Sequence, residues 1–237
     1  MQLTFASYNI HKAVGLDGRR DPERILAVLR EIDADVIALQ EADRRFGRRV
    51  AVLHRRALAE LTDYRPAPLA MTAEGMAWHG NVLLVRRGIA IRSVRPVALP
   101  MLEPRGAVCA DLEVGGRLIR VVGMHLCLSG LHRRGQLRAV LAHAAVGPAC
   151  PTVLMGDFNE WSRHGGALGA LGPGWQLPVL GRSYPARMPL APLDRIIASP
   201  EWRCHLSGVH HSALTAVASD HLPVFARLAL PDGADPA

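Results

Sequence analysis

The chain has 237 residues and almost no lysine: Lys12 is the only one, and arginine supplies the other 27 of its 28 basic residues. Its 4 cysteines (Cys109, Cys127, Cys150, Cys204) show no CxxC pair and no metal-ligand spacing. They read as reduced thiols in a cytoplasmic protein. Aromatic residues make up 5% of the chain, which argues against a stacking platform for single strands. The longest apolar stretches, such as VIAL and VVGM, fall far short of the roughly 20 residues that cross a bilayer. The start, MQLTFASYNIHK, lacks a basic leader and a long apolar segment, so no signal peptide is expected there. The stretch HKAVGLDGRRDPERI contains glycine but lacks the GK[ST] of a P-loop, and no GxSxG serine elbow is present. His205, His210 and His211 come without HExxH or CxxC, so zinc has no support from spacing.

What is present is apolar material and positive charge. Hydrophobic residues form 49% of the chain, enough for a sizeable core in a protein that buries roughly 70–75% of its unfolded surface. The net charge of +7 admits two readings: a polyanionic partner, or a codon bias that favours arginine throughout a genome. The RR pairs at 19–20, 44–45, 48–49, 55–56, 86–87 and 133–134 are scattered, so no single stripe marks a nucleic-acid track.

Apolar alternation and turn signals predict strands at 3–9, 35–40, 80–86, 89–97, 107–113, 117–124, 151–156, 194–198 and 222–229. Helical periodicity predicts helices at 22–32, 51–61 and 131–146, the first with Asp21 as its N-cap and Pro22 in its first turn. Gly115-Gly116 reads as the turn of a hairpin. No linker, repeat or low-complexity tract divides the chain. One α/β or α+β domain over 1–230 is expected, followed by a frayed tail at 231–237.

Six times, polar groups break the apolar pattern at strand ends. SYNIH supplies Asn9 and His11, IALQEAD supplies Glu41, and VVGMHL supplies His125. LMGDFN supplies Asp157 and Asn159, PLDRII supplies Asp194, and ASDHLPV supplies Asp220 and His221. Any one of these is ordinary: an acid after a strand usually forms a turn or caps a helix, and a lone histidine is usually a bonded core residue. Six together at strand ends imply a shared cleft. Carboxylate and amide oxygens are hard ligands suited to magnesium, which can polarise a phosphoryl oxygen. Histidine can donate to phosphate, and aspartate can orient an imidazole or draw a proton from water.

The ordered series YNIH, LQE, GNVLLVR, EPRGAV, MHL, GDFN, LDRI and SDHLP resembles the endonuclease/exonuclease/phosphatase superfamily from about Ser7 to Pro223. The resemblance implies an α/β four-layer sandwich, with two mixed β-sheets packed face to face and helices on both outer sides. It implies a magnesium-dependent phosphoesterase, with manganese able to substitute. In that reading Glu41 is the principal metal ligand, with Asn9 beside it and Asp220 as a further contributor. Asp157 orients or deprotonates the attacking water and Asn159 places it. His221 contacts the phosphate and is held by Asp194. His125 is a second phosphate contact or the donor to the leaving oxygen, while Arg105 and Asn81 support the pocket. Arg187, in SYPARMPLAPLDRI, is either a second phosphate contact or a solvated loop residue. Trp161, just past GDFN, reads as a packing side chain more than a pocket wall.

There are departures from the pattern. His11 stands where abasic-site nucleases carry an acid, and His125 stands where they carry a tyrosine, which points away from that branch. The expected substrate is therefore a small or lipid-derived phosphate ester, with nucleic acid as the alternative. The expected protein acts as a monomer without a membrane span.

Overall fold

The computed structural model of the chain describes residues 1–44, 47–100, 105–178 and 180–231. Most of the expected tail, from 232 onward, lies outside the described residues, as do Glu103 and Pro104 of the EPRGAV motif. Among the described residues, eleven strands form two mixed sheets. One has β1 (Gln2–Asn9), β2 (Val36–Gln40), β3 (Tyr64–Pro66), β4 (Val82–Arg86), β10 (Arg203–Val209) and β11 (Val224–Ala229), in the order β10-β11-β1-β2-β4-β3. The other has β5 (Ala90–Ala98), β6 (Gly106–Val114), β7 (Arg117–His125), β8 (Thr152–Asp157) and β9 (Asp194–Ala198), paired in sequence order.

Strand alternation sorts side chains into layers. Leu3 and Phe5 of β1, with Val36 and Ala38 of β2, face Val108, Val121, Val153 and Ile196 of the other sheet in one buried cluster. Their neighbours Ala6, Tyr8, Ile37 and Leu39 point outward, onto a helical layer. That layer contains α1 (Pro22–Ile32), α2 (Arg55–Leu61) and the short α4 (Thr215–Ala218). Asp21 caps α1 by accepting from the Arg24 amide at 3.0 Å, and the helix buries Ile25, Leu26, Val28 and Leu29. On the far side, α3 (Gly130–Ala144) packs Leu137 and Val140 against Val122, Met124 and Leu154. The result is the expected four-layer α/β sandwich.

Each sheet contains one parallel pair, β1–β2 and β7–β8, and such pairs need a crossover connection. Helices α1 and α3 lie in those crossovers. Parallel pairs end together, so Asn9 lies beside Gln40 and His125 beside Asp157. The antiparallel register then brings Asp194 opposite Asp157. The sheets come close at Gly123, where an added Cβ would lie 2.8 Å from the Leu83 side chain. The hairpin between β6 and β7 turns on Gly115 and Gly116, with φ of 56° and 76°, the left-handed pair its tight turn requires.

Two strands have no counterpart in the periodicity. β10 is an edge strand whose residues Arg203–His205 are exposed, so no apolar run marks it. β3 has three residues, lies at the opposite edge, and ends on Pro66. Helix α2 begins at Arg55, because Ala51 is held in an isolated bridge with Asp43 and residues 52–53 bend in place of the expected start of helix. No helix among the described residues is long and apolar enough to cross a membrane.

Candidate active site

Asp157 sits at the centre of the strand-end cluster. It closes β8, is buried, and receives hydrogen bonds from Asn9 Nδ2 (3.1 Å) and the Asn159 amide (2.9 Å). His125 Nε2 and His221 Nε2 approach the same carboxylate oxygen at 3.3 and 3.8 Å. Burial pushes the Asp157 carboxyl up to about 6; Asp194 adds to the rise, and His221 opposes it. The strand can deliver Asp157 here because Gly156 precedes it. A Cβ at position 156, where φ is 153°, would collide with the Met124 carbonyl on β7.

His221 belongs to a second hydrogen-bonded unit. Its Nδ1 lies 2.8 Å from Asp194 Oδ2, which also accepts from Ser183 Oγ at 2.6 Å. Burial alone would lower the His221 pKa, but the charges of Asp194, Asp157 and Asp220 prevail and lift it to about 10. The ring is therefore cationic at neutral pH. Tyr184 packs against it, with ring centroids 4.7 Å apart.

His125 links this cluster to an open cleft. Besides approaching Asp157, it lines a cavity together with Lys12, Glu41, His79 and Arg105. Arg105 Nη1 lies 2.6 Å from His125 Nε2, and since a guanidinium can only donate, that ring nitrogen accepts. Glu41 follows β2 directly and has φ of 55°; Lys12, with the same φ, donates its ammonium to the Glu41 carboxylate. His79 and Asn159 also adopt left-handed backbone, at 49° and 50°. Non-glycine residues held this way cost on the order of 1–3 kcal/mol each and cluster where function over-determines the chain.

The remaining sequence candidates occupy the margin. Asp220 is part-exposed, with Oδ1 3.8 Å from His11 Nδ1 and 3.4 Å from Ser219 Oγ. Asn81 is buried and donates to the Gly106 carbonyl at 2.9 Å, tying the start of β4 to the start of β6. Arg187 is exposed on the turn that carries Tyr184. Asn159 Nδ2 donates to the Leu126 carbonyl at 2.9 Å, so its side chain braces the loop after β7. Trp161 corrects the packing expectation: it is 61% exposed beside the site. The three histidines 205, 210 and 211 form no metal-type group among the described residues; His210 instead meets Glu31 of α1 at 3.2 Å.

Sequence reasoning missed Lys12, Ser183 and Tyr184. Only Lys12 had a signal, as the sole lysine within YNIHK. Ser183 and Tyr184 reach the site through a turn whose sequence carries no chemical motif.

Two oxygen-rich sets could hold a cation. Asp157, Asp194 and His221 offer ligand atoms within 4.8 Å of one another. Here Asp194 Oδ2 already engages His221 Nδ1 and Ser183 Oγ, so the same set also forms a hydrogen-bond relay. Glu41, which already draws the Lys12 ammonium, offers a carboxylate in the open cleft and fits a hard divalent ion.

Solved structures share this architecture at low identity. An endonuclease/exonuclease/phosphatase from Bacteroides vulgatus matches 97% of this chain and 99% of its own, with TM-score 0.76 and 17% identity. D. rerio TDP2 complexed with single-strand DNA product matches 96% of this chain and 99% of its own, with TM-score 0.75 and 16% identity. The Bacteroides thetaiotaomicron mannosyl-6-phosphatase Bt3783 matches 96% of this chain and 100% of its own, with TM-score 0.73 and 18% identity. Identities this low speak to fold alone. No curated protein sequence matches the chain. The family model described as "Endonuclease/Exonuclease/phosphatase family" matches residues 6–221, nearly the whole length, and the chain belongs to that family.

Proposed function

We propose that the protein is a magnesium-dependent hydrolase that cleaves a phosphate ester of a small or lipid-derived substrate. The observation that carries this reading is the setting of Asp157: a buried carboxylate, pinned by two donors, with the His221 and His125 imidazoles beside it. Raised to about 6, Asp157 is still mostly ionised at neutral pH and basic enough to take a proton from water. Asn9 and Asn159 hold its two oxygens in place. His221 Nε2, charged through the Asp194 pair, donates to a phosphoryl oxygen and offsets the charge that develops there. Arg105 and His125 face the phosphate from the cleft side, and Arg187 reaches toward the substrate from its turn. Asn81 supports the pocket from behind. Glu41, with Asn9 and Asp220 contributing, would hold the divalent ion, which when bound polarises the ester and neutralises charge.

A second reading, a nuclease, draws on the arginine content and on the TDP2 structure with its DNA product. Salt separates the two. A duplex binder making 6–10 phosphate contacts loses about 10³–10⁵-fold in affinity between 50 and 200 mM salt, whereas a small-substrate enzyme changes little. The direct test is a panel of nucleic acids, phospholipid head-group esters and sugar or inositol phosphates assayed with magnesium. Turnover confined to oligonucleotides would overturn the small-substrate reading, and no turnover of any ester would overturn hydrolysis itself.

A further inference from the structure

Ten large apolar side chains are exposed among the described residues, and five of them lie on three segments at the catalytic end, Leu131 in the first turn of α3. Leu128 (65% exposed) and Leu131 (93%) follow β7, Trp161 (61%) follows β8, and Met188 (63%) and Leu190 (50%) precede β9. These are the three neighbouring strands that end or begin on His125, Asp157 and Asp194 in one register. The first two segments are also fastened together, and the third is tied to the site. Arg133 donates to the Leu128 carbonyl at 2.6 Å and reaches Glu160, the residue before Trp161, at 3.4 Å. The turn carrying Met188 and Leu190 packs Tyr184 onto His221, and the Ala186 amide on that turn donates to the Asp220 carbonyl at 2.7 Å. The apolar side chains thus form a rim on one side of the site, on the segments next to the strand ends that carry His125, Asp157 and Asp194.

The charge on these loops is one-sided. Residues 126–134, 158–166 and 182–193 contain five arginines (Arg133, Arg134, Arg163, Arg182, Arg187) and one acid, Glu160. Glu160 is buried, where it accepts from the Ser162 and Ala167 amides and pairs with Arg133. Arg134, Arg163, Arg182 and Arg187 are exposed on the same three segments.

We infer that this rim docks on an anionic phospholipid surface, with the apolar side chains entering the head-group layer and the arginines meeting lipid phosphates. Such a surface answers both features at once: apolar side chains gain by leaving water, and each exposed cation gains from the negative leaflet. A nucleic-acid backbone would satisfy the arginines and leave Leu131 bare. A second copy of this +7 chain would set arginine against arginine. The inference rests on the proposed hydrolysis and deepens it, since a cleft opening onto a bilayer receives a phosphate ester carried by a lipid.

Co-sedimentation with vesicles tests this, using phosphatidylcholine alone and phosphatidylcholine mixed with phosphatidylglycerol. The protein is expected to partition onto the mixed vesicles and to release as salt rises. Leu131→Ser and Met188→Ser should each weaken partitioning by about tenfold, as expected for losing a buried apolar side chain. Arg134→Gln with Arg163→Gln should erase the preference for the anionic lipid. All these variants should keep wild-type turnover of soluble bis-p-nitrophenyl phosphate. Absence of wild-type binding to the mixed vesicles, or equal binding by the serine variants, overturns the inference. So does gel filtration showing a dimer that those substitutions dissolve. Vesicle binding without any magnesium-stimulated turnover of the soluble diester would uphold the docking surface and overturn the hydrolase reading.

Discussion

Asn9, at the end of β1 in the six-stranded sheet, donates its amide to Asp157, at the end of β8 in the five-stranded sheet, across 3.1 Å. The bond spans the seam between the two sheets, so the site exists only when both halves of the sandwich are closed. Each half contributes one parallel strand pair, and the ends of those pairs meet at the same edge. That placement follows the general tendency of α/β sheets to hold ligands at the carboxyl ends of parallel strands.

Asp157→Asn keeps the shape of the side chain and removes its basicity. Turnover of bis-p-nitrophenyl phosphate should fall by about 10²–10⁴-fold, the usual contribution of a positioned general base. Circular dichroism should show an unchanged fold. Activity within a fewfold of wild type would remove Asp157 from the chemistry.

Asp194→Asn takes the paired charge from His221. In the wild type the imidazole is raised from its ordinary 6.5 to about 10. A raised histidine contributes stability that is fully present below about pH 6.5 and is lost as pH climbs through about 10. Urea melts from pH 6 to pH 10 should therefore show wild-type stability declining relative to the variant. A constant difference across that window would mean that Asp194 does not hold His221 charged.

Asp111→Ala addresses the scaffold away from the site. Arg120 is buried, with Nε 2.7 Å from Asp111 Oδ1 on the neighbouring strand. Burial tends to raise the Asp111 carboxyl, but the Arg120 and Ser93 hydrogen bonds prevail and hold it below the usual range. Losing Asp111 leaves a guanidinium in the interior with no counter-charge, which costs about 3–5 kcal/mol in comparable cases. Chemical denaturation should show that loss, and protein that remains folded should keep its turnover number. A change under about 1 kcal/mol would show that Arg120 finds other partners.

Much of this architecture can be read from the chain because the sandwich buries both faces of its central strands. VIAL and VLMG are unbroken apolar runs, and the polar residues that follow them, Glu41 and Asp157, lie on either side of His125. Glu41, His125, Asp157 and Asp194 stand out for that reason. Edge elements are harder to see: β10 leaves its first residues in water, and β3 is too short to show a period. Side chains that reach the site from long loops leave no local pattern. Ser183 bonds Asp194 eleven residues away, and the Lys12–Glu41 pair joins two loops that only tertiary packing brings together. The exposed rim on the catalytic end was equally hidden, since Trp161 and Leu131 look like core residues until the fold turns them outward.

The most direct test of the central claim is a magnesium titration of chelator-treated protein, followed by thermal melting and by hydrolysis of bis-p-nitrophenyl phosphate. The account predicts no turnover without metal, recovery with magnesium or manganese, and a metal-dependent rise in melting temperature that Glu41→Gln shifts to concentrations about tenfold higher or more. Full turnover in excess chelator, or an identical titration for Glu41→Gln, would contradict it.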